Sequence, residues 1–355
     1  MQHRGQVTFL RFRGVCSQRG KKAARRRGAA TAAGLAVTLI TVMALLVALP
    51  LGGCGGKPQG TRVVRIGTLR NDLHQVAYYV AREKGFFTEE GLDVREGGAF
   101  NAGPEEMSAF SAGDLDMGYA GTAPIVTFTG QDMADVRIVA QANMVGSAIV
   151  VRNGLEAEDV AALKGRTIAV PGYSTVQDFL LRTALKKAGV GEKDVYIIVV
   201  KPPEMIPALA GGQIDAAVAW EPYPSMMVAQ KAGRVLMRSG RIWPHHPCCM
   251  LVADANFLRE NPDTVRRVVA AHVKATKYIK ENPLEAADMA HLFTGQPADV
   301  ARAAMKDIEF SYVPEVKSIQ RYVEFLKSNG VIKVKDAASF TRGLVDTGFL
   351  PGGGS

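Results

Sequence analysis

Two thiols and two imidazoles lie almost side by side in Trp243-Pro244-His245-His246-Pro247-Cys248-Cys249, and these residue types ligate zinc, copper or iron. Their order argues against a metal centre. Adjacent ligands interrupted by prolines do not follow a C-x-x-C spacing, and Cys248-Cys249-Met250-Leu251-Val252-Ala253 reads as an apolar strand in which a thiol is a small hydrophobe. No metal and no cofactor is therefore expected, although His245, His246, Cys248 and Cys249 are the residues that would hold a metal. Nor is a disulfide framework implied, because neighbouring cysteines are badly placed to bridge one another. The motifs G-x-S-x-G, G-x-x-x-x-G-K-S/T and H-E-x-x-H are absent, and the chain reads as a non-enzyme.

Recognition chemistry is offered instead by loops. Gly121-Thr122 and Ser174-Thr175 precede helices, whose first N–H groups are unpaired and carry partial positive charge, so either turn could hold an anionic group. Both are equally explained by capping, Ser174 with Gln177 and Thr175 with Asp178. Trp220, Tyr173 and Tyr119 offer flat faces to a ring or a cation, or else pack in a core. Arg70 and His74 suit an anion, or a solvated loop. Glu221 opposes a simple anion unless it is paired, for instance with Arg70.

These loops need strands to position them. Val63 to Leu69 reads as a buried strand, followed by a helix from Gln75 to Lys84 that Asp72 and Gln75 would open as N-cap and capping box. Strands are expected around Leu92 to Arg95, Met117 to Ala120, Val136 to Ala140 and Ser147 to Val151, with helices at Pro104 to Ala112 and from about Pro124. A second series follows a polar stretch: strand Arg166 to Val170, helix Thr175 to Ala188, strand Val195 to Val200, helix Met205 to Gly211 and strand Ala216 to Ala219. Alternating β and α in two series predicts an α/β chain with two lobes. An internal echo aligns Ala109 to Asp116 with Ala208 to Asp215; each segment is a helix ended by glycine, then an aspartate before a strand. Because ligands sit outside the carboxyl ends of strands in open sheets, the echo points to a cleft between the lobes. The last third reads as helical and packs on the first lobe, so the chain crosses near Val151 to Gly154 and again near Pro247 to Val252.

The first 28 residues carry nine of the 43 basic residues and no acid, and Ala29 to Gly53 carry no charge. This is the pattern of a signal peptide, 1–53, and Leu51-Gly52-Gly53-Cys54 resembles the bacterial lipobox, which would make Cys54 the lipidated first residue of the mature protein. Removing the leader removes the whole formal charge of +9, so nucleic acid is excluded as a partner. Residues 54–61 read as a flexible tether.

Val80-Ala81-Arg82-Glu83-Lys84-Gly85-Phe86-Phe87, Leu163-Lys164-Gly165-Arg166-Thr167-Ile168, Gly212-Gln213-Ile214-Asp215 and Trp220-Glu221-Pro222 resemble, in that order, the nitrate, sulfonate and taurine class of importer receptors. The resemblance implies a type II periplasmic-binding-protein fold with a hinge and an interlobe cleft, 62–152 and 248–355 forming one lobe and 153–247 the other. It further implies a small-molecule solute, ABC permease and ATPase subunits as partners, an extracytoplasmic location and a monomer. Ligand contacts carried over are Arg70, Asn71, His74, Gly121, Thr122, Asn143, Tyr173, Ser174, Thr175, Trp220 and Glu221. Pro207 departs from the family pattern and predicts that its helix starts late. Two readings share the scaffold: a metal-binding protein like the thiamine-pyrimidine synthases, using the His245 to Cys249 cluster, and an extracytoplasmic sensor.

Overall fold

Residues 62–353 are described by the computed structural model; the leader, Cys54 and the tether lie outside them. The apolar runs form twelve strands: Val63–Leu69 (β1), Asp93–Phe100 (β2), Met117–Gly121 (β3), Val136–Gln141 (β4), Asn143–Val145 (β5), Ser147–Arg152 (β6), Thr167–Val170 (β7), Tyr196–Val199 (β8), Ala216–Trp220 (β9), Gly233–Arg238 (β10), Cys249–Asp254 (β11) and Ile308–Phe310 (β12). They build two five-stranded sheets, ordered β2-β1-β3-β11-β4 and β10-β6-β9-β7-β8.

The two sheets repeat one unit. In the first, β1 lies between β2 and β3, parallel to both; in the second, β7 lies between β8 and β9 in the same way. Each central unit is completed by an antiparallel strand from another part of the chain, β11 beside β3 and β6 beside β9. β3 and β9 are buried along their whole length, as a strand covered on both faces must be. The echoed aspartates precede these two strands and do more than punctuate a turn. Asp116 accepts from the backbone N–H of Arg65 at 2.8 Å, and Asp215 from that of Thr167 at 3.1 Å, so each ties its strand to the start of the neighbouring one.

The strand Ser147–Arg152, read as the end of the first lobe, pairs with β9 and β10. The chain therefore leaves the first sheet between Gln141 and Ser147, earlier than the expected crossing near Val151 to Gly154. Alternation alone cannot show which sheet an apolar strand joins. The return crossing runs alongside: Met144 bridges Pro247, the Val145 N–H donates to His246 O at 3.0 Å, and the Cys248 N–H to Asn143 O at 3.1 Å. β5 pairs with β12 at the same place.

The helix carrying Pro207 spans Pro202–Ala210, beginning earlier than predicted. Pro202 sits at its start, where no N–H is needed, and Pro203 and Pro207 both lie on its exposed side, where the Pro203 carbonyl that loses its bond to Pro207 can be hydrated. The helix Pro262–Glu281 lays Val265, Val268, Val269, Ala275 and Ile279 against the first lobe. The helix Val316–Ser328 also reaches the second lobe, where Phe179 packs on Tyr322 and Phe325. Among the described residues, no helix is long and apolar enough to cross a membrane.

Candidate functional site

β1 and β3 end at Leu69 and Gly121, and antiparallel β11 begins opposite Gly121 with Cys249. From the other lobe, β9 ends at Trp220, and Thr175-Val176-Gln177 open the helix Val176–Lys187 that follows β7. These chain ends close around a narrow cavity of about 10 Å³, the size of a single water, together with Asp72, His74 and Cys248. No lysine or arginine lines it. A wider hollow at the amino ends of the same strands is lined by Arg65 and Asp116, which already satisfy each other at 2.9 Å.

His74 is wholly buried rather than solvated, and it organises the polar side of the cavity. Its Nε2 lies 2.9 Å from Gly146 O; a carbonyl only accepts, so Nε2 carries a proton. Its Nδ1 lies 3.3 Å from Cys248 Sγ, 3.9 Å from Cys249 Sγ and 3.5 Å from Asp72 Oδ1. Burial alone would lower the imidazole, yet the charges of Cys248 and Asp72 raise it to about 9. The hydrogen bond from Cys249, together with His74, holds the Cys248 thiol well below the ordinary range, and the same bond holds Cys249 well above it. Burial lifts Asp72 to about 7 although His74 opposes it. Gly146 has φ +85°, and a Cβ there would fall 2.4 Å from His74 Nε2, so only glycine lets this backbone approach the ring.

Of the predicted contacts, His74, Gly121, Thr175 and Trp220 line the cavity. Trp220 is buried, and its indole N–H has no hydrogen-bond partner among the described residues. Thr122 does not offer its N–H to a ligand: both its N–H and its hydroxyl donate to Cys248 O, at 2.8 and 3.0 Å. Asn143 is a scaffold residue whose Oδ1 accepts from the Cys249 N–H at 3.0 Å. Arg70 is exposed, Asn71 turns the chain at φ 50°, and neither reaches the cavity. Tyr173 is 55% exposed and, with Ser174, faces a neighbouring hollow.

Thr175 caps its helix, accepting from the Asp178 N–H at 3.2 Å. The Asp178 carboxylate accepts from the Ser174 N–H at 3.0 Å, so the capping reading holds for Thr175 and not for a Ser174–Gln177 pair. Gln177 instead donates to Ser147 Oγ at 3.0 Å. Similarly, Asp72 caps towards the His74 N–H, but Gln75 turns away from a capping box to Tyr119 O and the Leu69 N–H, each at 2.8 Å. Tyr119 is core, its hydroxyl 3.0 Å from His272 Nδ1. Glu221 pairs with Arg238 at 3.5 Å and not with Arg70, and burial raises it to about 7. Its carbonyl accepts from the Leu73 N–H at 3.1 Å, joining the lobes behind the cavity.

The four residues proposed as a metal cluster do not converge. His245 is exposed beside Glu309 at 2.9 Å, and His246 turns its Nδ1 to Trp243 O at 2.8 Å. The cysteines meet His74 instead, and the donor atoms of His74, Cys248 and Cys249 all lie within 4.8 Å of one another. Asp72, in the loop that the family resemblance marks, also lines the cavity, whereas Gln177 and the pairing of His74 with the cysteines were missed, the latter because His74 and Cys248 lie 174 residues apart in the chain.

Two repeated units, crossed twice by the chain and closing on a cavity at their strand carboxyl ends, define a two-lobed binding protein of the periplasmic type. The chain belongs to the NMT1-like family, whose model matches residues 57–294. It is 32% identical over 235 residues to a Brucella abortus protein named as a binding protein, covering 65% of this chain and 71% of that one. It is 30% identical over 259 residues to a Bacillus subtilis protein named for binding aliphatic sulfonates, covering 71% and 76%. Among solved structures, the periplasmic nitrate-binding protein NrtA of Synechocystis superposes with a TM-score of 0.73 at 18% identity, covering 82% of this chain and 87% of that one.

Proposed function

We propose that this chain is an extracytoplasmic solute-binding protein that captures a small solute between its lobes and passes it to the permease and ATPase subunits of an ABC importer. It acts as a monomer without enzymatic activity, held at the membrane by lipid on Cys54 through the 54–61 tether. The observation that carries this reading is the cavity itself: both repeated units present their strand carboxyl ends to it, and Trp220 lines it. The relatives named for sulfonate and nitrate support an importer receptor.

The lining supports a different solute from theirs. With Asp72 present and no lysine or arginine among the lining residues, a bare oxyanion gains little here, whereas a heterocycle of the pyrimidine class can lie against Trp220 once the lobes part. A thermal-shift screen tests this, since a ligand at about 100 times its Kd stabilises by about 2.7 kcal/mol. Pyrimidines should raise the midpoint, and Trp220→Ala should lose most of that rise. A response to alkyl sulfonates or nitrate alone would overturn the solute class.

A further inference from the structure

We infer that His74, Cys248 and Cys249 form a binding site for a thiophilic divalent cation of the zinc class, in the wall of the cleft. The geometry points there. Ligands held 2.0–2.3 Å from a tetrahedral ion stand about 3.3–3.8 Å from one another. His74 Nδ1 is 3.3 Å from one sulfur and 3.9 Å from the other, and all three donor atoms lie within 4.8 Å of each other. Small side-chain shifts would bring them to the edges of a coordination tetrahedron.

Two independent features favour a metal over a chance cluster. The first is the outer shell: His74 donates Nε2–H to Gly146 O at 2.9 Å, leaving Nδ1, the atom that faces the sulfurs, as the one to coordinate once its proton leaves. A ligating histidine is ordinarily fixed in this way. The second is charge. Two thiolates neutralise a divalent ion, so a bound metal adds no net charge to a wholly buried site, which an unpaired cation would. Two sulfurs and one imidazole select zinc or its soft neighbours over magnesium or calcium. Three protein donors leave a fourth position, which a water molecule can take in a cavity of this size. On binding, each thiol still protonated loses its proton as its sulfur–metal bond forms, His74 releases the proton on Nδ1, and no electron is transferred.

The site stands apart from the identity of the solute, and cobalt(II) alone reads it. The full chain carrying Cys16→Ser and Cys54→Ser, so that only the two buried thiols remain, is reduced, stripped with a chelator and titrated with cobalt(II). We expect a sulfur-to-cobalt charge-transfer band in the near ultraviolet that saturates at about one equivalent and is displaced by zinc. Adding Cys248→Ser and Cys249→Ser should abolish the band, and His74→Ala should weaken cobalt binding by about 100-fold. His245→Ala should leave it unchanged. Zinc should also protect the two thiols of the otherwise unaltered protein from a thiol reagent, a readout that needs no substitution at the site. Absence of the band, its persistence in the double-serine variant, or thiols equally reactive with and without zinc would each overturn the inference.

Discussion

At the residue scale, the least expected group is Glu106. It is fully buried in the first turn of the helix Gly103–Ser111, against Gly67 and Gly118, where a Cβ would fall 2.8 and 2.5 Å from its Oε1. Neither carboxyl oxygen has a well-formed hydrogen bond among the described residues, and burial pushes its pKa from 4.5 up to about 8, with Asp72 adding to the rise and the backbone N–H of Tyr119 opposing it. Folded Glu106 therefore keeps a proton that the unfolded chain has released over that interval. Its contribution to stability is fully present below about pH 4.5 and is lost as the pH rises to about 8, on the order of 5 kcal/mol in all. Asp72 and Glu221, each raised to about 7 by burial, act in the same direction. Glu106→Gln keeps the shape without the titration, so its urea-unfolding free energy should fall less steeply between about pH 5 and pH 8. Superimposable pH profiles for variant and parent would refute this. Sequence offered no sign of the group: a glutamate near a helix start ordinarily faces solvent, and only the packing of two glycine-containing strands makes room for it.

At the element scale, the helix Val176–Lys187 links capping to the cavity. Thr175 supplies the cap and lines the cavity, and the helix carries Asp178 at its start and Lys186 and Lys187 at its end, as the dipole favours. Thr175→Ala should cost about 1 kcal/mol in unfolding free energy, and Thr175→Ser should restore most of it, because a hydroxyl suffices for the cap. Equal stability of the alanine variant and the parent would show that the cap is dispensable. The N-cap itself was legible from Thr175 and Asp178 three residues on. The Asp72–Gln75 box was not formed although its spacing was the same, since Gln75 found buried partners in Leu69 and Tyr119 that only the folded sheet provides.

At the scale of the whole molecule, two chain segments run side by side between the sheets, joined by backbone hydrogen bonds, and Cys248 on one of them also lines the cavity. This is where a hinge would flex. A cavity of about 10 Å³ walled by both lobes is closed to any solute larger than water, so the lobes must part to admit one and close again over it. Solute should therefore shrink the radius of gyration measured by X-ray scattering, and an unchanged radius at saturation would argue for a rigid pocket. The sequence by itself determined the α/β class, the repeated unit and the strand ends that line the cavity, because periodicity, glycine caps and the echoed aspartates are local signals. Tertiary structure alone decided the membership of β6, the partner of Glu221 and the meeting of His74 with Cys248 and Cys249. Each depends on how two lobes are registered across crossings, and no spacing within the chain encodes a contact between residues 174 positions apart.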